Sequence, residues 1–406
     1  MMLKRCFLMT CCLVTVWLVC PAQKKELGEA RTFIKSGKSL DKAEKMMLQL
    51  LKDSANRQNK KIHLTLYDAV AKQYELANEK LYLRQKYDTA RFFDLVQHLY
   101  RVAETLDSVD ALPDKRGRIR PEYRQQHAAT MNQLRPNLYF GGTYQLRKND
   151  YRKAFDFFDI YLDADRQPLF TGYDYLKNDS LVPRAAYWAT FAGYRLQDPE
   201  LTLRYRNEAL LDSPRKDFVL QYLCEAYRQQ GDTNRWLTHL HEGFRLFPES
   251  TYFFPRLADY YAANQRNDSV LILASQGLSD NPDNELFLLA QSNALLNLER
   301  YEECREICER LLEMNDTMPD PYFNMATTYL NEALVLERKN EPRKYRQQLR
   351  ALYQQARPYM EDYRRLAADE KQRWAPALYR IYLNLNMGKQ FEEIDQLISS
   401  TKVNNS

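Results

Sequence analysis

Between residues 183 and 316 small and apolar side chains return every three or four positions in paired short runs, and proline interrupts the pattern at a fixed interval. Pro214, Pro248 and Pro282 stand 34 residues apart, and Asp316 takes the next slot. With each segment numbered from 1 to 34 and the proline at 32, apolar residues at 4, 7, 8 and 11 fall on one face of a first helix. Those at 20, 24, 27 and 28 fall on one face of a second, because positions three and four apart share a side of a helix. Segment 183–216 carries Ala189, Thr190, Gly193, Thr202, Ala209 and Leu210 at such places. The next carries Leu223, Cys224, Tyr227, Gly243 and Phe244, followed by Leu257, Ala258, Tyr261, Val270, Gly277 and Leu278. A fourth segment continues with Ser292, Leu295, Cys304, Cys308, Leu311 and Leu312. Two antiparallel helices per segment are predicted, closest at positions 8 and 20, where small residues are wanted. Trp236 opposite Cys224 breaks that rule and predicts a hairpin that is splayed or out of register. The proline ends the second helix, since it has no amide to donate and its ring clashes with the preceding turn.

The flanking chain follows the same habit more loosely. Helices are expected over 26–36 and 40–52, with Ala43, Met47, Leu50 and Leu51 on one face, then over 61–83 and 87–107, with Ala90, Phe93, Val96 and Leu99 buried. Looser end repeats are the rule where one face must meet water. Residues 111–121 (ALPDKRGRIRP) read as a linker. From 122 the regular array begins, with Gly141 and Gly142 at 7 and 8, Ala154 at 20 and Phe158 at 24. The glycine pair lacks a preceding strand and a Gly-Lys-Ser/Thr sequel, so it reads as a close helix contact rather than a phosphate loop. The register breaks over 167–182, an insertion carrying Phe170, Tyr173 and Tyr175 that is expected to fold over the array beside its groove. Beyond 318 longer helices are expected over 319–338 and 342–368, then a last hairpin over 372–387 and 390–399, with a frayed, disordered tail at 401–406.

The 34-residue interval and these residue types resemble the tetratricopeptide repeat (TPR). The resemblance implies an all-α fold, a right-handed α-α superhelix, that is, a TPR-like solenoid of helical hairpins. The regular array covers 122–318, degenerate hairpins 23–110 and extended hairpins 319–400. It further implies a concave groove lined by first-helix positions 2, 5, 6, 9, 12 and 13, whose partners in similar proteins are extended peptides or other proteins. On this chain those positions bring Tyr139, Phe140, Arg147, Arg184, Tyr187, Trp188, Phe191 and Arg195, then Tyr222, Glu225, Arg228, Arg256 and Asp259, then Asn293, Asn297, Asn324 and Asn331. The expected partner-binding set is Tyr187, Phe191, Arg195, Tyr222, Arg228, Arg256, Asn293, Asn297, Asn324 and Asn331. Asparagines could pair with a bound backbone whatever its side chains, and Arg and Tyr anchor interfaces most often. No lysines line up with the asparagines, so the family's clamp for a C-terminal carboxylate is not expected.

The first 22 residues read as an export signal: Lys4-Arg5, an apolar run from Cys6 to Val19, and small residues before Gln23, with cleavage expected after Ala22. Cys20 as a lipid-anchor site is disfavoured by bulky Trp17-Leu18-Val19 ahead of it. Residues 1–22 aside, no run is apolar enough to cross a membrane. The expected location is periplasmic or secreted, and the resemblance extends to exported repeat proteins of Gram-negative bacteria. Three cysteines outlast the signal, too few for a disulfide framework. A formal charge of +5 with both signs interleaved gives no footprint for nucleic acid. Chemistry is scarce: His239 and His241 face different sides of a helix, and no metalloprotease, Cys-x-x-Cys or serine-elbow motif occurs. Cys304 and Cys308 share a face but occupy core positions of the repeat. No enzyme, cofactor or metal is expected. The function expected is a scaffold or adaptor in the cell envelope that binds a peptide segment or partner protein. The alternative is a glycan-binding subunit of an outer-membrane uptake system, with rings such as Tyr187 and Trp188 stacking on sugars.

Overall fold

Helices form where the helical period places them, and the computed structural model describes residues 23–339 and 341–403 with no strand among them. The described residues begin with α1 (23–36) and α2 (Leu40–Leu51), then α3 (Lys60–Tyr82), α4 (Thr89–Asp110), α5 (Arg124–Arg147) and α6 (Tyr151–Asp163). A short α7 (Tyr175–Asn178) precedes α8 (Val182–Arg195), α9 (Pro199–Leu203), α10 (Arg206–Ala209), α11 (Lys216–Gln229) and α12 (Thr233–Leu246). There follow α13 (Phe253–Ala263), α14 (Asn267–Asp280), α15 (Glu285–Asn297), α16 (Tyr301–Met314), α17 (Pro319–Glu337), α18 (Pro342–Leu366), α19 (Lys371–Leu385) and α20 (Gly388–Val403). Neighbours in sequence pack as antiparallel pairs, α5 on α6, α13 on α14, α15 on α16 and α17 on α18 among them. The chain is an all-α array of TPR-like helix pairs. It divides into two units, one ending at His239 and one starting at Leu240. Residues 111–121 lie within the first unit, where α4 and α5 pack on each other and Arg124 bridges to Asp107 at 2.7 Å. The signal expected at 1–22 lies outside the described residues.

One turn recurs between paired helices. Asn149, Gln197, Gly231, Gln265 and Glu299 all occupy position 15 and all take left-handed backbone, with φ of 58°, 55°, 71°, 58° and 59°. In each the amide of position 16 donates to the carbonyl of position 11, for example Asp198 to Gly193 at 3.1 Å and Arg266 to Tyr261 at 2.8 Å. This is the closure that satisfies a helix's orphan carbonyls with one left-handed residue. The residue at 16 then starts the next helix: Asp150, Asp198 and Asp232 each accept from the amide three residues on, at 3.0–3.1 Å. A carboxylate there answers an orphan N–H and the positive end of the helix.

The turn works only if the paired helices can come close, and glycines mark the contact. A Cβ on Gly193 would stand 2.5 Å from the Thr202 backbone nitrogen, so α8 and α9 touch at main chain. Gly141 and Gly142 are roofed by the rings of Phe157 and Phe158, in keeping with the expected helix contact. Between repeats of the second unit, Gly243 receives Phe253 and Gly277 receives Phe287, each at position 27 against position 3 of the following segment. Position 3 is fully buried there, although the sequence pattern assigned the core to 4, 7, 8 and 11.

Several expectations shift. The second helix of segment 183–216 is broken into α9 and α10, because Tyr205 turns inward at the break, 1% exposed, with its hydroxyl donating to Asp159 Oδ1 at 2.7 Å. Trp236 is half-buried and packs on the first unit's core. In α4 the buried stripe is Phe92, Leu95, Val96, Leu99 and Tyr100, with Ala90 and Phe93 only partly covered. In α18 it is Tyr353, Ala356, Met360 and Tyr363, while Tyr345, Leu349, Leu352 and Tyr359 are half-buried. The tail expected from 401 is helical as far as Val403, and 404–406 lie outside the described residues. The 167–182 insertion is folded: Leu169 and Phe170 are buried, and Phe170 stacks 6.0 Å from Tyr100. Arg135 holds it down. Its guanidinium lies between Tyr161 and Tyr175, 3.7 and 3.8 Å from their ring centroids, and is ion-paired with Asp179.

Left-handed backbone costs a non-glycine residue about 1–2 kcal/mol. Gln265→Gly and Glu299→Gly should therefore each raise unfolding free energy by about 0.5–1 kcal/mol in urea titrations. Gly193→Ala should lower it by about 1–3 kcal/mol despite alanine's better helix propensity. A destabilised Gln265→Gly would refute the turn as described.

Candidate functional site

In the unit ending at His239, the first helices α5 and α8 leave one shared face uncovered by their partners, and a cleft of about 590 Å³ opens on it. Its apolar lining comes from Tyr139, Phe140, Leu146, Tyr151, Trp188 and Phe191, and its charges are Arg147, Arg184, Arg195 and Arg215. Phe140 is 53% exposed. The rings pack edge to face, Trp188 against Phe191 at 5.8 Å and 77°, and Tyr151 against Phe191 at 6.0 Å and 84°. Arg195 lies 4.5 Å from the Tyr151 centroid and covers that face. Arg215 donates to Asp212 at 3.3 Å.

Most residues expected at the head of the groove are therefore brought together here, Phe191 and Arg195 included. Tyr187 is not among them. It is 7% exposed, in edge contact with Trp188, and joined by a side-chain hydrogen bond to Tyr222, whose own phenol burial pushes up. Tyr222 is half-buried and stacks on Tyr194 at 4.6 Å. Arg228 is exposed and forks onto Glu225 Oε2 at 3.0 and 2.7 Å. Tyr151 and Arg215 were missed because they belong to no first helix; only folding carries them to the cleft.

In the unit from Leu240 the expected residues are more scattered. Arg256 lies flat on Tyr252, 3.7 Å from its centroid, and donates to the Tyr252 carbonyl. Asn293 and Asn297 are exposed. Asn331 is half-buried and hydrogen-bonded to Tyr301. Asn324 is no surface rung: it is 2% exposed and its amide donates to Ser292 Oγ at 3.0 Å and Asn293 Oδ1 at 2.8 Å. The small serine at position 8 leaves room for an amide to reach across, so the asparagine becomes a bridge between helices. A second cleft, about 490 Å³, is lined by Tyr301, Val335, Leu336, Ala351 and Leu352 with Glu332 and two glutamines at its edge.

The cysteines are packed in the core and two of the histidines are hydrogen-bonded within their own unit. Cys224, Cys304 and Cys308 are fully buried, and Cys304 Sγ donates to the Ser292 carbonyl. Among the described residues no His, Cys, Asp and Glu gather as a metal site. His239 bonds the Arg235 carbonyl, and His241 bonds the Tyr261 hydroxyl. The most displaced carboxyl is Glu104, pushed up to about 7 by burial and then by Asp163 and Asp159 nearby, against the pull of Arg101.

No family model matches this sequence, and no curated protein matches it. Solved structures similar to it include the TPR2AB-domain:pHSP90-complex of yeast Sti1, at 14% identity over 76% of this chain and 96% of that one, TM-score 0.25. Others are the P58(IPK) TPR domain (13% identity, 93% of this chain and 98% of that, TM-score 0.25) and yeast Tom70 (13%, 89% and 88%, TM-score 0.35). The assignment of helix pairs rests on the turns and contacts described above.

Asn324→Ala should cost about 1–2 kcal/mol of stability by leaving Ser292 and Asn293 without their donor, and exposed Asn297→Ala less than about 0.5 kcal/mol; equal losses would return Asn324 to the surface. Glu104 keeps its proton in the folded chain up to about pH 7 but ionises near the ordinary 4.5 when unfolded. Its contribution is thus complete below pH 4.5 and is lost as pH climbs through 7. Glu104→Gln should melt higher than the parent at pH 8 and lose that advantage towards pH 4.5; a pH-independent difference would count against the assignment.

Proposed function

We propose that this chain is an exported scaffold or adaptor of the cell envelope that binds a peptide segment or a partner protein on the exposed face of its first helices. The observation that carries the reading is the cleft on α5 and α8. It combines a half-exposed aromatic anchor, Phe140, with a perpendicular ring wall and four arginines. Aromatic and arginine side chains in a concavity of this size are what interface hot spots are made of.

The glycan reading draws on the same rings. Stacking on a sugar needs an open flat face, whereas Trp188 meets its neighbours edge to face, Tyr151 is covered by Arg195 and Tyr194 by Tyr222. Those arrangements favour a peptide. Export is proposed from residues 4–22 alone, and the intact mass of the mature chain should begin at Gln23.

A displayed random-peptide library panned on the purified chain should enrich binders that Phe140→Glu weakens by at least about tenfold, while the melting temperature hardly moves, as for exposed substitutions generally. Binders indifferent to Phe140→Glu would remove the cleft from the function.

A further inference from the structure

Among the described residues, three of the cleft's four arginines have no carboxylate. Arg215 is paired with Asp212, but Arg147, Arg184 and Arg195 form no ion pair with any described residue, and no acidic side chain lines the cleft. The chain has 59 basic and 54 acidic residues, and several arginines elsewhere in this unit find an acid: Arg118 with Asp114, Arg124 with Asp107, Arg204 with Asp159, Arg228 with Glu225. Arg147 and Arg195 sit in the last turns of α5 and α8, where a cation suits the helix dipole. Arg184 does not. It is exposed in the first turn of α8, which contains no acidic residue, so its charge faces the positive end of the helix. A guanidinium at the rim of an apolar cleft with no acid of its own is left available to an anionic guest.

Resting on the docking reading above, we infer that the cleft selects an acidic peptide segment, with carboxylates received by Arg147, Arg184 and Arg195 and an apolar side chain seated against Phe140 and Trp188. Guanidinium forks match carboxylates in two parallel hydrogen bonds, and low-dielectric ring walls strengthen each pair relative to water. Like charges gathered without counter-ions repel one another, and an anionic guest relieves that repulsion as it binds.

The test uses fluorescence polarisation with the full mature chain and a short fluorescein-labelled peptide alternating Glu with Leu and Phe. Its Gln isostere, a version with phosphoserine in place of Glu, and inorganic phosphate as competitor complete the set. The acidic peptide should bind at least about tenfold tighter than the isostere and weaken with salt. Arg184→Gln and Arg195→Gln should each cost it about three- to tenfold while leaving the isostere unchanged. Arg118→Gln, outside the cleft and already paired with Asp114, should change nothing, and Arg184→Lys should restore part of the loss. Equal binding of acidic and Gln peptides, both abolished by Phe140→Glu, would overturn the charge preference and leave the docking reading intact. Displacement by inorganic phosphate, together with tighter binding of the phosphopeptide, would overturn it in favour of a phosphate site. Failure of every peptide, including those selected by display, would remove both readings.

Discussion

The structure depends on reversing a helix within three residues while its partner lies close enough to touch. The reversal is made by one left-handed residue at position 15 whose neighbour's amide reaches back to position 11. The closeness is made by small residues: main chain meets main chain at Gly193, and rings fill the space over Gly141 and Gly142, as they do between successive repeats over Gly243 and Gly277. Each device is useless without the other. A tight turn between helices held apart by bulky side chains would strain, and small residues on helices joined by a long loop would leave cavities.

Where a helix pair is fastened through those faces, one side of its first helix is released from packing, as on α5 and α8. It can carry residues that do nothing for stability. Arg184 is one case, exposed in the first turn of α8 where no acidic residue stands beside it. The first helices also show how easily such freedom is withdrawn. Tyr187 and Asn324 occupy formally outward positions, yet each is recruited inward, the one by a neighbouring tyrosine and the other by a serine too small to fill its place.

Buried charge plays the opposite part. Arg135, enclosed by two tyrosine rings and paired with Asp179, ties the insertion to α5 and α6. A buried pair of this kind adds little net stability but penalises every arrangement that leaves either partner alone. That converts an irregular stretch into a fixed part of the first unit.

The linear sequence by itself determined most of the helix pairs, their approximate ends and their TPR-like spacing. Those properties are local: a 3.6-residue period, a proline that cannot continue a helix, and small residues at fixed places act within one segment or its neighbour. It also marked Phe191, Arg195 and the residues around them as outward-facing. What only tertiary structure decided was everything set by distance across segments. The left-handed turns fall on Asn, Gln and Glu as well as Gly, so composition does not betray them. Tyr205 breaks its helix to reach Asp159, 46 residues away. Tyr151 and Arg215 complete a cleft begun by other helices, and Asn324 leaves the surface for a serine on the preceding pair. A side chain's period tells which face of its own helix it occupies; what waits on the other side is known only once the chain has folded.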